Sequence, residues 1–156
     1  MTGLVATGTA SAAPLMVVSN DGWFPDIDLV QLRAAERLGN TITDARLKPA
    51  VIAAIISVNT DLALWQSLEV GKGAATLADV PAPLVDGQSA KVALYLRAVY
   101  SLAHADLIER YSDYDTTGSG EKSADELSPQ IADQHRNARW AIRDLLGQRR
   151  TTVELI

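Results

Sequence analysis

A chain of 156 residues, 47% hydrophobic and 21% charged, suits one soluble domain with a real core, or a compact body with extended ends. It has no cysteine, which excludes disulfide frameworks and thiolate chemistry, and its two histidines argue against an imidazole-rich metal site. A net charge of −5 and an aromatic content of 5% argue against an overall grip on nucleic-acid phosphate and against base-stacking platforms.

Residues 1–22 are rich in Gly, Ala, Thr and Ser without helical period, and read as an extended N-terminal arm. The start lacks the positive flank of a signal peptide, so a protein assembled in the cytoplasm is expected. Within the arm, Leu15–Val18 can form a short strand. Phe24-Pro25-Asp26 ends it, with Asp26 a cap for a first helix whose face is Ile27, Val30, Ala34 and Leu38. Gly39-Asn40 stops that helix.

Thr43 is the next candidate cap. Leu47, Val51, Ala54, Ile55, Val58, Leu62, Trp65 and Leu68 then recur at three and four, which predicts a long amphipathic helix with a delayed start or bend at Pro49. No apolar run in the chain approaches the roughly 20 residues of a membrane helix, so no membrane partner is expected. Gly71-Lys72-Gly73 is a helix stop. It lacks the spacer and hydroxyl of a phosphate loop. The connector to Gln88 carries turn chemistry at Pro81, Pro83 and Asp86-Gly87.

Val92, Tyr95, Leu96, Val99, Leu102, Ala103, Ile108 and Tyr111 stripe a third helix. An acidic, glycine-containing stretch follows, and Ser128-Pro129 predicts the start of a fourth helix, faced by Ile131, His135, Ala138, Ile142, Leu145 and Leu146. Gly147 closes it. The tail, residues 148–156, is β-branched and either frays or adds to a strand elsewhere, through Val153, Leu155 and Ile156. The expected fold is all-α, a four-helix body over 23–147 between an extended arm and a short extended or β tail.

Asp113, Asp115 and Thr117 stand at the first, third and fifth places of a calcium-loop pattern, and Gly118 at its turn. The twelfth place, where a bidentate Glu is needed, is Ala124. A solvated acidic connector is the favoured reading, and a calcium-responsive binding module is the alternative. His104, near Asp106, and His135 have no nucleophile at triad spacing and read as structural, so no enzyme and no cofactor is expected. Arg136, Arg139 and Arg143 share one face of the fourth helix, and Arg149 and Arg150 extend the charge. Two readings stand for this cluster: a solvated, salt-bridged face, or a contact with the acidic stretch around Asp113 and Asp115 of a neighbouring copy.

Several stretches are familiar as an ordered series. They are Phe24-Pro-Asp-Ile-Asp28, Leu77-Ala-Asp-Val-Pro-Ala82, Asp86-Gly-Gln-Ser89, Lys91-Val92, Arg97-Ala-Val99, Glu109-Arg-Tyr111, Ala124-Asp125 and Arg139-Trp-Ala141. From about residue 23 to the C-terminus, the series resembles the head completion (head stabilisation) proteins of temperate, contractile-tailed phages of the Peduovirus type. The resemblance implies a structural virion protein at the head–tail junction, without enzymatic activity. It implies a head–tail adaptor, about twelve copies forming a ring on the portal protein after DNA packaging. The ring would stabilise the filled head and offer a surface to neck and tail-terminator proteins, and DNA would pass its lumen without specific binding.

Overall fold

The structure, a computed structural model, describes residues 16–39, 42–112 and 120–149. In chain order it contains β1 (Val17–Val18), β2 (Ile27–Asp28), α1 (Leu29–Ala35), α2 (Asp44–Gly71), β3 (Leu84–Val85), β4 (Gln88–Ser89), α3 (Ala90–Ser112) and α4 (Gly120–Leu145). The four expected helices are present, with one antiparallel two-residue strand pair before α1 and another between α2 and α3.

The strand expected near Val18 is β1. It pairs with β2 in the register Val17↔Asp28 and Val18↔Ile27, and the Leu29 amide extends the pairing to the Met16 carbonyl at 2.7 Å. Ile27 is therefore a buried strand residue, not the first residue of a helix face. Asp28 caps α1 in place of Asp26: its Oδ1 accepts from the amides of Val30 and Gln31 at 2.7 and 3.2 Å. This two-residue shift rotates the helix. Leu29 and Leu32 face the core, while Val30 is exposed. The helix also ends early, at Ala35, and Arg37 adopts a left-handed φ of 53° before Gly39 is reached.

Thr43 is the N-cap of α2 by backbone geometry, and the helix begins at once at Asp44 with no delay for Pro49. In the second turn a proline forfeits one backbone hydrogen bond, a loss the rest of a 28-residue helix absorbs. Leu47, Val51, Val58 and Leu62 are fully buried. By length and composition α2 could also cross a membrane, which corrects the expectation that no segment qualifies. Between Lys48 and Glu69 its single charged residue is Asp61, so the average stays apolar, and part of that apolar surface is the protein's own core.

The helix stop stands where expected. Gly73 has φ 100° and the Ala74 amide bonds the Glu69 carbonyl at 3.1 Å. A single 3₁₀ turn, Leu77–Asp79, follows, and the hairpin β3–β4 turns at Asp86-Gly87. α3 then runs between α2 and α4, packing along both, while those two touch each other only slightly. Buried alanines, Ala98 and Ala103 on α3 and Ala138 and Ala141 on α4, suit a short distance between helix axes.

α4 begins at Gly120, not at Ser128-Pro129. Pro129 lies inside the helix. The local Ser-Pro signal loses because Glu121, Lys122, Ala124, Glu126 and Leu127 are good helix formers, and one missing amide does not end a helix that packs along α3. α4 ends as expected: Gly147 takes φ 70°, and the Gln148 amide bonds the Arg143 carbonyl at 2.9 Å.

A polar network in the core ties the first described segment to both central helices. Asn59 Nδ2 donates to Asn20 Oδ1 (2.9 Å), Asn20 Nδ2 donates to Tyr95 Oη (2.8 Å), and Tyr95 Oη donates to Asn59 Oδ1 (2.6 Å). Burial raises the Tyr95 phenol well above its ordinary pKa near 10, a shift opposed by the Asn20 hydrogen bond and reinforced by Asp21. The folded state thus holds this proton more tightly than the unfolded chain does. The resulting stability is complete below about pH 10 and is lost as the pH rises further. Urea midpoints should therefore fall above pH 10, and fall less steeply in Tyr95→Phe. Tyr100, also raised mainly by burial, acts in the same direction.

Candidate functional site

The expected basic face is carried by α4. Arg136 and Arg139 are exposed and Arg143 is half-buried, and the helix repeat places all three on one side. Arg149 is exposed just past the helix. Arg136 pairs with Asp133 of its own helix at 2.8 Å, and its guanidinium lies 5.1 Å from the centre of the Trp140 ring. Both members of that ion pair are about half exposed, so it contributes no more than a few tenths of a kcal/mol. Arg97 of α3 reaches Asn137 of α4 at 3.4 Å. The remaining expected interface residues, Asp113, Asp115, Arg150, Val153, Leu155 and Ile156, lie outside the described residues. Of the calcium-loop pattern, the last five places, Gly120 to Ala124, belong to α4.

Both histidines have carboxylate partners that hold helices together. His104 Nδ1 on α3 lies 2.7 Å from Glu36 Oε2, just past α1, and Gln134 Nε2 of α4 donates to the same oxygen at 3.3 Å. His135 Nε2 on α4 meets Glu109 Oε1 on α3 at 3.0 Å. The partner of His104 is thus Glu36, far away in sequence, rather than Asp106, which pairs instead with Arg110 at 2.9 Å.

Two exposed apolar surfaces were not expected. The outer side of α2 exposes Ile52, Ile56, Leu64, Leu68 and Val70, and the β3–β4 hairpin exposes Leu84 and Val85. Leu68, expected in the core stripe, is 57% exposed. The missed signal was available: between Lys48 and Glu69 the sequence holds one charged residue, Asp61, so α2 is apolar on both sides.

This body of helices offers surfaces for contact. The phage head completion protein (GPL) family matches the chain over residues 18–156. The chain belongs to that family. It is 38% identical over 140 residues to the head completion/stabilization protein of Escherichia phage P2, covering 90% of this chain and 83% of the relative. It is 26% identical over 143 residues to the probable head completion/stabilization protein of Haemophilus phage HP1 (strain HP1c1), covering 90% and 92% respectively. No solved structure matches it. The match begins at residue 18, within β1, so the family segment takes in α1–α4 and the hairpin. Family membership gives the chain a structural role in completing the phage head.

Proposed function

We propose that this head completion protein is a head–tail adaptor. About twelve copies form a closed ring on the portal after DNA packaging. The ring stabilises the filled head and presents the surface on which neck and tail-terminator proteins assemble. The observation that carries this reading is the family match, which runs through the whole helical body and ends with the chain.

Charge distribution supports a head-to-tail arrangement. Residues 127–156 carry five basic and three acidic side chains, and residues 106–126 carry seven acidic and two basic. The α4 face with Arg136, Arg139 and Arg143, continued by Arg149 and Arg150, therefore suits the acidic segment around Asp113 and Asp115 of the next copy. The apolar tail residues Val153, Leu155 and Ile156 suit strand addition to a neighbour or to the portal. A net negative protomer lets DNA slide past without the phosphate contacts that would hold it.

Phage carrying a deletion of the gene should yield heads that lose their packaged DNA or fail to join tails, scored by electron microscopy and by nuclease sensitivity of the DNA. Normal numbers of full, tailed particles from that mutant contradict the proposal. A lumen lined by the five arginines contradicts its electrostatic part.

A further inference from the structure

The outer face of α2 is built to be covered. At about 3.6 residues per turn, Ile52, Ile56 and Val70 form one edge of the face, and Leu64 and Leu68 form the other. Between these edges lie small residues, among them Thr60 and Ser67. Thr60 Oγ1 donates to the Ile56 carbonyl at 2.7 Å and Ser67 Oγ donates to the Ala63 carbonyl at 3.0 Å. Both hydroxyls are thus turned back onto their own helix, so burying these two leaves neither of them stranded. The sole charge on this part of the sequence, Asp61, lies at the margin about one turn before Leu64. The spacing thus puts larger apolar side chains on either side of a strip of small ones, a shallow trough in side-chain size along an exposed helix, with Leu64 at 78% exposure.

A matching projection stands on the same chain. Asp86 and Gly87 have φ of 51° and 73°, the two left-handed residues of a type I′ turn, which fixes β3–β4 as a tight hairpin. The Ala90 amide closes its base on the Pro83 carbonyl at 2.9 Å. Its outward residues, Leu84 and Val85, are 72% and 64% exposed. A rigid apolar tip loses little conformational freedom on docking.

We infer that the α2 trough of one copy receives the Leu84–Val85 hairpin of the next. This inference rests on the ring reading and adds an apolar contact between neighbouring copies to the charged one. Area favours a second copy arranged in series. The trough is about 27 Å long and about 10 Å wide, of order 300 Å², against roughly 800 Å² per partner for a stable pair. Such a contact is too small to hold a free dimer. It serves where every copy is gripped on two sides in a closed ring. Projection and trough are also different surfaces, so the contact is head-to-tail and not self-complementary.

The absence of cysteine makes the test specific. A Leu64→Cys, Leu84→Cys double variant, carried into filled heads and mildly oxidised, should give a ladder of cross-linked multimers. Each single variant should stay monomeric. The charge variant Leu64→Glu should remain folded by circular dichroism, yet enter heads at least about tenfold less, because docking would bury its carboxylate. An incorporated double variant without a ladder overturns the inference and leaves the ring reading intact. Dimers from Leu64→Cys alone overturn it in favour of a symmetric pair, and cross-links to another virion protein reassign the face to that protein. Binding of the wild-type protein to lipid vesicles that Leu64→Glu abolishes reassigns it to a membrane. Wild-type protein absent from the head–tail junction overturns the ring reading itself.

Discussion

Replacing Phe24 with Ala should lower stability by about 3–5 kcal/mol, the usual cost of emptying a buried phenylalanine site. Phe24 is the chain's single phenylalanine and is 2% exposed. Its ring stacks on Tyr95 of α3 at 4.7 Å and 12°, and meets Trp23 edge-on at 4.8 Å and 86°. Trp23 in turn meets Trp65 of α2 edge-on at 5.8 Å and 78°. The cluster therefore joins the segment before α1 to both central helices. Its backbone is held as firmly: Asp21 Oδ1 accepts from the amides of Trp23 and Phe24, each at 2.9 Å, and Trp23 Nε1 donates to the Ala74 carbonyl at 3.1 Å. Surroundings fixed this way cannot collapse into the space left by a lost ring, so the cavity term is added to the transfer term. Against the roughly 5–15 kcal/mol typical of a folded domain, the loss is at least about a fifth of the total. Urea unfolding followed by tryptophan fluorescence measures it, with Trp23 and Trp65 reporting from inside the cluster. A loss under 1 kcal/mol would mean that this segment contributes little to holding α2 and α3 together.

The parts of the fold legible in the sequence were those decided by local periodicity and by glycine. α2 and α3 follow from apolar residues at three and four, and Gly73 and Gly147 sit at positive φ where helix ends require it. The misplaced elements were those decided by competition between equal local signals. Asp26 and Asp28 are both good caps. The choice fell to Asp28 because β1–β2 pairing extends through Ile27 and Asp28, leaving Asp26 Oδ1 to accept from the Asn20 amide at 2.8 Å. Ser128-Pro129 is a good start signal that packing on α3 overrode. For the candidate contact surfaces, the Arg136, Arg139, Arg143 face could be read from spacing alone. The outer face of α2 was legible only in the scarcity of charge between Lys48 and Glu69, because apolar spacing at three and four marks the core side of a helix and says nothing of the other. The pairing of His104 with Glu36 was also out of reach, since no local pattern links residues 68 positions apart.

Two substitutions two residues apart on α2 should behave oppositely. Val58 is fully buried, facing the core with Val51 and Leu62, whereas Ile56 is 62% exposed. Val58→Asp must either bury a carboxylate without a partner or bind a proton to neutralise it, and it loses the valine packing as well. That combination belongs to the rare class costing more than about 4 kcal/mol, and soluble folded protein should be scarce. Ile56→Glu exchanges an exposed β-branched residue for a better helix former, and stability should stay within about 0.5 kcal/mol of wild type. A thermal melt of each variant measures the contrast, since 1 kcal/mol corresponds to roughly 2–4 °C in a domain of this size. The combination is informative because Ile56 still costs the free protein something in solution, where its apolar surface meets water. If Ile56→Glu is as stable as wild type and more soluble, no contact within the protomer needs the side chain, and its retention in the free protein has to be explained by what covers it after assembly. If instead Ile56→Glu unfolds the chain, α2 has its second partner within the protomer, and its outer face is part of the core.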